Sequence, residues 1–264
     1  MGAKAIIQVS VSNHYLQPDY CSEVVSQGLL WEQVEVLEQE ADFTRIRQQD
    51  GYQSWISTQQ LAKSGAAETS GLEWRLVRSH NARILLAPDE RSAAIRDVVI
   101  GSRLPVLAQT GQWSEVVLPA GEQGWLQNHH FGEIGSARID SIVALAREFL
   151  GYQYSWGGKT PKGFDCSGFV QTVFGLHGIQ LPRDAHLQHK THRLSDDHRQ
   201  ARAGDLLFFG EDPEKATHVA ISLGENRFIH AYGMVRENSL TPSAGDFSQK
   251  HLETFLSVNR YPVS

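Results

Sequence analysis

The sequence predicts a multidomain protein in which two small β-barrels precede an α+β domain. Three observations carry this prediction. Short strand-like runs occupy residues 5–65, a loosely similar plan returns over residues 74–133, and apolar residues take helical spacing after Gly135. A chain of 264 residues, 41% of them hydrophobic, is long enough for two or three compact units with cores of their own.

The first predicted barrel spans residues 1–65. Its strand-like runs cover residues 6–11, 33–37, 43–47 and 55–57, with turn-forming residues between them. Val34 and Val36 alternate with polar neighbours, and Asp50-Gly51 is a strong hairpin signal before Tyr52. Short alternating strands joined by tight turns are typical of a small barrel.

The second predicted barrel spans residues 74–134 and follows a linker at residues 66–73. Residues 74–77 open it, residues 116–118 precede a turn, and the closing segment 121–126 resembles segment 50–56 of the first barrel. This period of roughly 70 residues indicates a duplication. Residues 63–71 are small and polar, which is the composition of an interdomain linker.

The C-terminal region, residues 135–264, combines two helices with several strands. Apolar spacing predicts a helix over residues 139–150 that ends at Gly151, and a second helix begins at Cys166. Three β-rich runs then cover residues 205–209, 218–223 and 227–231, and the last two form a hairpin through Gly224-Glu225-Asn226. Two helices followed by an antiparallel sheet form an α+β domain.

The charge balance argues against several kinds of partner. The chain has 24 Lys plus Arg against 30 Asp plus Glu, a net charge of -6, so it has no general attraction for nucleic acid or anionic lipid. No stretch approaches the roughly 18 apolar residues of a membrane span, and we expect a monomer without membrane insertion. No signal-peptide core precedes the first strand. We therefore expect a cytoplasmic protein, or a periplasmic or extracellular one if Met1-Gly2 replaces an export signal.

Cys166 is the strongest candidate for a nucleophile. It lies where a loop turns into the second predicted helix, and the positive end of a helix dipole stabilises a thiolate. A thiol also needs a base at neutral pH, and His218 and His230 are the candidates. Cysteine with histidine at long range is the arrangement expected of a cysteine peptidase. We therefore expect a thiol reagent near neutral pH to modify Cys166 before Cys21.

The predicted hairpin sets a geometric condition on the two histidines. Side chains alternate between the faces of a strand, so a two-residue turn at Glu225-Asn226 would place His218 and His230 on opposite faces. The pair can act together only if the connection has three or five residues, or if one strand carries a β-bulge.

At these residues the chain resembles the NlpC-type family of bacterial cell-wall cysteine peptidases, which have a reduced papain-like fold. Six blocks in the right order within residues 137–262 carry the resemblance. They are Tyr154-Ser155-Trp156-Gly157-Gly158, Gly163-Phe164-Asp165-Cys166-Ser167-Gly168-Phe169-Val170, Leu181-Pro182-Arg183 with Gln188, Gly204-Asp205-Leu206-Leu207-Phe208-Phe209, Thr217-His218-Val219-Ala220-Ile221 and Phe228-Ile229-His230-Ala231.

The family resemblance implies a role for each residue of the centre. Cys166 is the nucleophile, His218 is the general base and then the acid, and His230 orients the His218 ring. Tyr154 helps to hold the developing oxyanion together with the backbone N–H of Cys166. No cofactor is required.

The N-terminal modules resemble bacterial SH3 (SH3b) domains through residues 27–34 and 50–56. They are similar to the first such domain of γ-D-glutamyl-L-diamino acid endopeptidases, in which that barrel narrows the catalytic cleft. The resemblance implies that Tyr52, and less directly Glu32, contribute to substrate binding. The expected architecture is thus two SH3-like β-barrels followed by an α+β papain-like cysteine peptidase domain.

The same resemblance implies a substrate. Asp165 would pair with a free N-terminal ammonium, Ser167 would add a hydrogen bond, and Trp156 is a further candidate for substrate binding. The expected partner is the murein stem peptide L-Ala-γ-D-Glu-diaminopimelate, cleaved after the γ-linked D-Glu during peptidoglycan peptide recycling or turnover.

Two other functions stay open at this point. One is a non-catalytic cell-wall binding protein, against which the intact set of Cys166, His218 and His230 argues. The other is a papain-like acyltransferase or amidase, against which Asp165 beside the cysteine argues.

Four further histidines have a spacing that could gather two metal ligands on one helix face. They are His186, His189, His192 and His198. Because no Cys or Glu at ligand spacing completes a zinc site, we expect this segment to be solvated and polar, and we expect no metal.

Overall fold

The computed structural model describes residues 3–63, 65 and 67–262. Met1-Gly2 and two residues of the region predicted as a linker, Ser64 and Ala66, lie outside the described residues. The chain divides into two compact units, Met1–Ile134 and Gly135–Ser264. No helix in the described part of the chain is long and apolar enough to cross a membrane.

The first half of the N-terminal unit is a seven-stranded antiparallel sheet. Its strands, with one 3-10 turn at Thr58–Gln60, are β1 Lys4–Ile7, β2 Val11–Tyr15, β3 Val24–Leu29, β4 Gln33–Glu40, β5 Phe43–Arg47, β6 Gln53–Ser57 and β7 Leu61–Lys63. The strand order is β3-β2-β6-β5-β4-β1-β7. Gly51 turns the chain between β5 and β6 with φ of 85°, a conformation that favours glycine.

The second half of the N-terminal unit is a six-stranded antiparallel sheet of similar plan. Its strands, followed by a 3-10 turn at Asn128–His130, are β8 Glu73–Leu76, β9 Asn81–Leu85, β10 Ala94–Val99, β11 Arg103–Thr110, β12 Trp113–Val117 and β13 Gln123–Gln127. The strand order is β10-β9-β13-β12-β11-β8. In both sheets the order is open across the described strands, so the closed barrel form stays a prediction.

The two halves of this unit share apolar core. Leu30 and Trp31, from the turn between β3 and β4, are buried in one cluster with Leu104 and Leu126 of the second half. The indole N–H of Trp31 also donates to the backbone carbonyl of Val117 at 2.9 Å. The predicted linker therefore joins two sheets that form one compact unit, because bulky residues at the β3–β4 turn complete the second core.

The C-terminal unit packs helices against a six-stranded antiparallel sheet. Its helices are α1 Ile139–Glu148, α2 Cys166–Leu176, α3 Ala185–His189 and α4 Gln249–Glu253, with a 3-10 turn at His198–Gln200. Its strands are β14 Lys159–Thr160, β15 Gly163–Phe164, β16 Arg193–Ser195, β17 Leu206–Phe209, β18 His218–Gly224, β19 Arg227–Tyr232, β20 Met234–Ser239 and β21 Phe255–Asn259. The order of the large sheet is β16-β21-β17-β18-β19-β20, and β14 pairs with β15.

Helix α2 runs through the core of this unit. Phe169, Val170, Val173 and Phe174 have no exposed surface, and the helix packs against β18 and β19. The predicted first helix is also present, and the chain turns at Gly151 with φ of 84°. Burial of α2 fixes its first residue, Cys166, against β18, the strand that begins with His218.

The β18–β19 hairpin meets the condition that the sequence set. Glu225 and Asn226 both have positive φ, 51° and 60°, which is the conformation of a tight two-residue turn. The register then shifts between Ser222 and Gly224, which leaves a β-bulge. The bulge returns His218 and His230 to one face of the sheet, so of the alternatives that the sequence left open the structure has the bulge.

Candidate active site

Cys166 is the first residue of α2, and the local sequence fixes it there. The Asp165 carboxylate caps the helix by accepting the Gly168 N–H at 2.7 Å. The Gly158 carbonyl accepts the Asp165 N–H at 2.9 Å, and a Cβ on Gly168 would lie 2.1 Å from that carbonyl oxygen. The glycines of the two adjacent motifs therefore allow the loop to press against the start of the helix.

The Asp165 carboxylate is held in a buried ion pair. Arg183 donates from Nη1 to Oδ1 at 3.1 Å and from Nη2 to Oδ2, and both side chains are almost fully buried. The Ser167 hydroxyl donates to the same Oδ1 at 3.2 Å and accepts from Arg183 at 3.0 Å. Arg183 therefore balances the charge that the sequence placed beside the nucleophile.

The Cys166 sulfur is buried, with 7% of the residue exposed. The backbone N–H groups of Val219 and Ser167 donate to it. Burial, and next the charge of Asp165, nevertheless raise the pKa of the thiol to about 12. Burial therefore opposes the thiolate that the helix start and the two amides stabilise.

His218, His230 and Asn238 form a hydrogen-bonded row on one face of β18, β19 and β20. His218 Nε2 and His230 Nδ1 are 2.7 Å apart. The other nitrogen of His230, Nε2, lies 3.1 Å from Asn238 Oδ1. Asn238 Nδ2 in turn donates to the backbone carbonyl of Asp246 at 2.8 Å.

A third histidine, His251 of α4, packs against this row. Its ring centroid lies 5.1 Å from that of His218 and 4.8 Å from that of His230. Its Nδ1 lies 2.6 Å from the Ser248 hydroxyl. His251 is thus a buried neighbour of both candidate catalytic histidines.

Burial keeps all three imidazoles neutral at neutral pH. It is the largest cause that lowers the pKa of His251 to about 4 and of His230 to about 3. Burial and then the charge of His230 also hold the pKa of His218 well below its usual range. A neutral His218 has one unprotonated ring nitrogen, which can accept a proton from a group in the same cavity.

A cavity of about 650 Å³ gives access to Cys166 and His218. Its lining includes Tyr154, Cys166, His218, Tyr232, Lys250 and His251. Burial, followed by the thiol and the Asp165 carboxylate, raises the pKa of the Tyr154 phenol. Tyr154 therefore keeps its proton and can donate it in a hydrogen bond to a group in the cavity.

Two family models match this chain. Residues 151–256 match the model of the NlpC/P60 family. The chain carries an NlpC/P60 domain. Residues 15–61 match the model of the bacterial dipeptidyl-peptidase Sh3 domain, so an SH3 domain precedes the NlpC/P60 domain in this chain.

Curated relatives share most of the chain. It is 28% identical over 257 residues to the gamma-D-glutamyl-L-lysine dipeptidyl-peptidase of Bacillus cereus, an alignment that covers 91% of this chain and 76% of the relative. It is also 28% identical over 245 residues to dipeptidyl-peptidase 6 of Lysinibacillus sphaericus, covering 86% and 87% of the two chains. The similarity therefore includes the N-terminal unit as well as the NlpC/P60 domain.

A solved structure has the same architecture along its whole length. The crystal structure of an NlpC/P60 family protein from Bacillus cereus superposes with a TM-score of 0.84 at 25% identity, and covers 98% of this chain and 99% of that one. Its match extends over both units of the present chain.

The other predicted site residues lie in different settings. In the NlpC/P60 domain the Trp156 side chain is 62% exposed and does not belong to the lining of the cavity. Tyr52 and Glu32 belong to the N-terminal unit and are half-buried. Glu32 accepts the Leu29 N–H at 3.0 Å and the Gln48 side-chain amide at 2.8 Å, and the role of both residues in binding stays a prediction.

The histidine-rich segment departs from the expectation of a solvated stretch. His189 is only 4% exposed and its ring packs on Phe208 at 5.1 Å. Among the described residues, the group whose ring nitrogens could hold a metal is instead His218, His230 and His251, within 4.8 Å of one another. Two of those nitrogens already share the hydrogen bond between His218 and His230, which suits a catalytic relay.

Three residues of the centre were not given a role from the sequence. Arg183 belonged to a recognised motif, yet nothing in its spacing indicated a buried pair with Asp165. Asn238 lies on a strand that periodicity did not reveal, and His251 lies on a five-residue helix. Only the pairing register and the tertiary packing could have identified them.

Proposed function

We propose that this chain is a cysteine endopeptidase that hydrolyses the γ-D-glutamyl bond to the diamino acid in murein stem peptides with a free N-terminal L-Ala. The observation that carries the proposal is that Cys166 and His218 line one cavity, and that His218 is hydrogen-bonded to the buried His230. The relatives named gamma-D-glutamyl-L-lysine dipeptidyl-peptidase and dipeptidyl-peptidase 6 support the choice of bond.

The chemistry begins from a neutral pair. His218 accepts the proton of the Cys166 thiol as the sulfur attacks the γ-carbonyl carbon of D-Glu. The Tyr154 hydroxyl and the Cys166 N–H donate to the oxyanion that forms. The imidazolium of His218 then gives its proton to the departing amino group, and a γ-D-glutamyl thioester remains on the enzyme.

Water completes the reaction. Neutral His218 accepts a proton from the water molecule that attacks the thioester carbonyl, and the released Cys166 sulfur takes that proton back. The products are L-Ala-γ-D-Glu and the diamino acid with any residues that follow it. The hydrogen bond between His218 and His230 keeps the base in place through both steps.

Recognition of the free N-terminus needs revision in light of Arg183. Asp165 Oδ1 already accepts three hydrogen bonds, and Oδ2 accepts one from Arg183. A substrate ammonium would therefore meet a carboxylate whose charge is offset, with one acceptor position left on Oδ2. We propose that Asp165 and Ser167 orient the ammonium by hydrogen bonds.

The first test is mass analysis of products from L-Ala-γ-D-Glu-diaminopimelate. We expect release of diaminopimelate by the wild-type protein and no release by Cys166→Ala. Acetylation of the L-Ala amine should slow cleavage at least about ten-fold, since one charge-assisted hydrogen bond is worth about 1.5–3 kcal/mol. Equal cleavage of the acetylated peptide would refute the recognition of the ammonium, and tight binding without cleavage would favour a cell-wall binding protein.

A further inference from the structure

Three adjacent strands place three polar side chains on one face of the sheet. In the antiparallel register Ile221 pairs with Ile229, and Phe228 pairs with Asn238. His230 is two residues from Phe228, so it lies on the same face as Asn238 and diagonal to it. His218 reaches that face through the bulge. The row is continuous from His218 to Asn238 through hydrogen bonds of 2.7 and 3.1 Å.

The backbone determines the orientation of the Asn238 amide. The carbonyl of Asp246 can only accept hydrogen bonds, and it accepts both the Ser239 N–H at 3.1 Å and Asn238 Nδ2 at 2.8 Å. The opposite orientation would place two oxygens against each other. Asn238 Oδ1, an acceptor, therefore points to His230 Nε2.

The proton positions of both imidazoles follow from this orientation. His230 must carry its proton on Nε2 to donate to Asn238 Oδ1, and because the ring is neutral its Nδ1 has no proton. That bare Nδ1 accepts a hydrogen bond from His218 Nε2. His218, which is also neutral, therefore has its unprotonated nitrogen at Nδ1.

The loop that supplies the Asp246 carbonyl is itself anchored. Arg227 Nη2 lies 2.8 Å from the Asp246 carboxylate and 3.1 Å from Glu237. The Ser248 N–H donates to the Ser239 carbonyl at 2.9 Å. The carbonyl that orients Asn238 thus belongs to a segment tied to β19 through Arg227 and to β20 through Ser239.

We propose that Asn238 is a positioning residue, which fixes the tautomers of His230 and His218 so that Nδ1 of His218 is the base for Cys166. The catalytic consequence rests on the proposed peptidase function, whereas the tautomers are a property of the folded protein. Without an acceptor at position 238, His230 is free to carry its proton on Nδ1. His218 would then accept at Nε2 and hold its own proton on Nδ1, where no base would be left for the thiol.

The test measures tautomers and catalysis in the same variants. Long-range nitrogen–proton NMR of the full chain assigns the protonated nitrogen of each ring, and kcat and KM are measured with L-Ala-γ-D-Glu-diaminopimelate. Asn238→Leu keeps the approximate volume but cannot accept, and Asn238→Asp keeps an acceptor. Asp196→Asn is the control, because it lies in an exposed ion pair with Arg193 of β16, at the other edge of the sheet.

In the wild-type protein we expect both imidazoles to be protonated on Nε2. Asn238→Leu should populate the Nδ1–H form of His230 and lower kcat at least about ten-fold with little change in KM, as expected when an orienting hydrogen bond is lost. Asn238→Asp should retain the Nε2–H tautomer and move the acid limb of kcat/KM to higher pH. The other groups that face His230 are His218, Tyr232, Arg236 and His251, and they are unchanged in every variant.

Three results would overturn the proposal. They are an Nδ1–H tautomer of His230 in the wild-type protein, unchanged tautomers and kcat in Asn238→Leu, or an equal fall in kcat for Asp196→Asn. If Asn238→Leu fails to fold, the wild-type spectrum and the pH profile of Asn238→Asp still decide whether Asn238 has the positioning role. If the wild-type protein does not cleave the peptide but shows the expected tautomers, the peptidase proposal fails and the positioning role of Asn238 stands, with the rate of Cys166 alkylation as its kinetic readout.

Discussion

The start of α2 and the sheet face that carries His218, His230 and Asn238 differ in charge, although Cys166 and His218 line the same cavity. At the helix start a full negative and a full positive charge, Asp165 and Arg183, are buried together. On the sheet face His218, His230 and Asn238 are neutral and are linked only by hydrogen bonds. The Cys166 thiol lies between a carboxylate that opposes its ionisation and imidazoles that resist protonation.

The two regions therefore have different roles, because the ion pair contributes to stability and the neutral row to proton transfer. The ion pair holds the helix start but lends no net positive charge to the thiol. The neutral row offers a base that stays unprotonated over a wide range of pH. Ionisation of Cys166 is therefore expected to accompany attack on the substrate, and not to precede it.

Loss of the buried ion pair between Asp165 and Arg183 should have the largest effect on stability. Arg183→Leu leaves the Asp165 carboxylate buried without its cation, and we expect the free energy of unfolding to fall by about 3–5 kcal/mol. Arg193→Leu, which removes an exposed pair with Asp196, should cost less than about 1 kcal/mol. Urea denaturation of the two variants checks the comparison, and equal losses would show that the buried pair has no special role.

The second-largest effect should be a loss of stability in acid, caused by the neutral histidines of the sheet face. The unfolded chain protonates its histidines near pH 6.5, whereas folded His251 and His230 do so only at about 4 and about 3. As pH falls below 6.5 the unfolded state therefore binds more protons. Stability should fall by about 1.4 kcal/mol per pH unit for each such histidine, until the folded pKa is reached.

His251→Phe sharpens this prediction. It removes one depressed imidazole that carries no assigned catalytic role, so the fall of stability between about pH 6 and about pH 4.5 should be less steep by about 1.4 kcal/mol per unit. Urea denaturation at a series of pH values gives both slopes. Parallel slopes would mean that His251 is protonated in the folded protein.

The smallest expected effect concerns the two cysteines, and it reverses the expectation from the sequence. Cys21 is exposed and Cys166 is buried, and the raised pKa of Cys166 leaves little thiolate at neutral pH. A small uncharged alkylating reagent should label Cys21 first. Peptide mass mapping of a brief reaction decides the order, and first labelling of Cys166 would indicate an activated thiol.

The sequence predicts the reactive groups better than their environment. Helix periodicity places Cys166 at the start of α2, and strand alternation shows that His218 and His230 need either a connection of three or five residues or a bulge to share a face. The cation that pairs with Asp165 beside Cys166 comes from Arg183, which is distant along the chain. Asn238 enters the site only through the register of β19 and β20.

The N-terminal unit shows a similar limit. Turn signals such as Asp50-Gly51 locate strands correctly because they act over a few residues. The shared core of the two sheets depends on Leu30 and Trp31 packing with distant residues of the second half. A local pattern cannot distinguish such a pair of sheets from two independent domains.

The measurement that most directly tests a neutral resting pair is the ultraviolet absorbance of the Cys166 thiolate as a function of pH. It compares a Cys21→Ser protein with the same protein carrying Cys166→Ala. We predict no thiolate absorbance from Cys166 at neutral pH and its appearance only in strongly alkaline solution, since the pKa of the thiol is raised to about 12. One full equivalent of thiolate at neutral pH, lost only on acidification, would contradict the neutral pair.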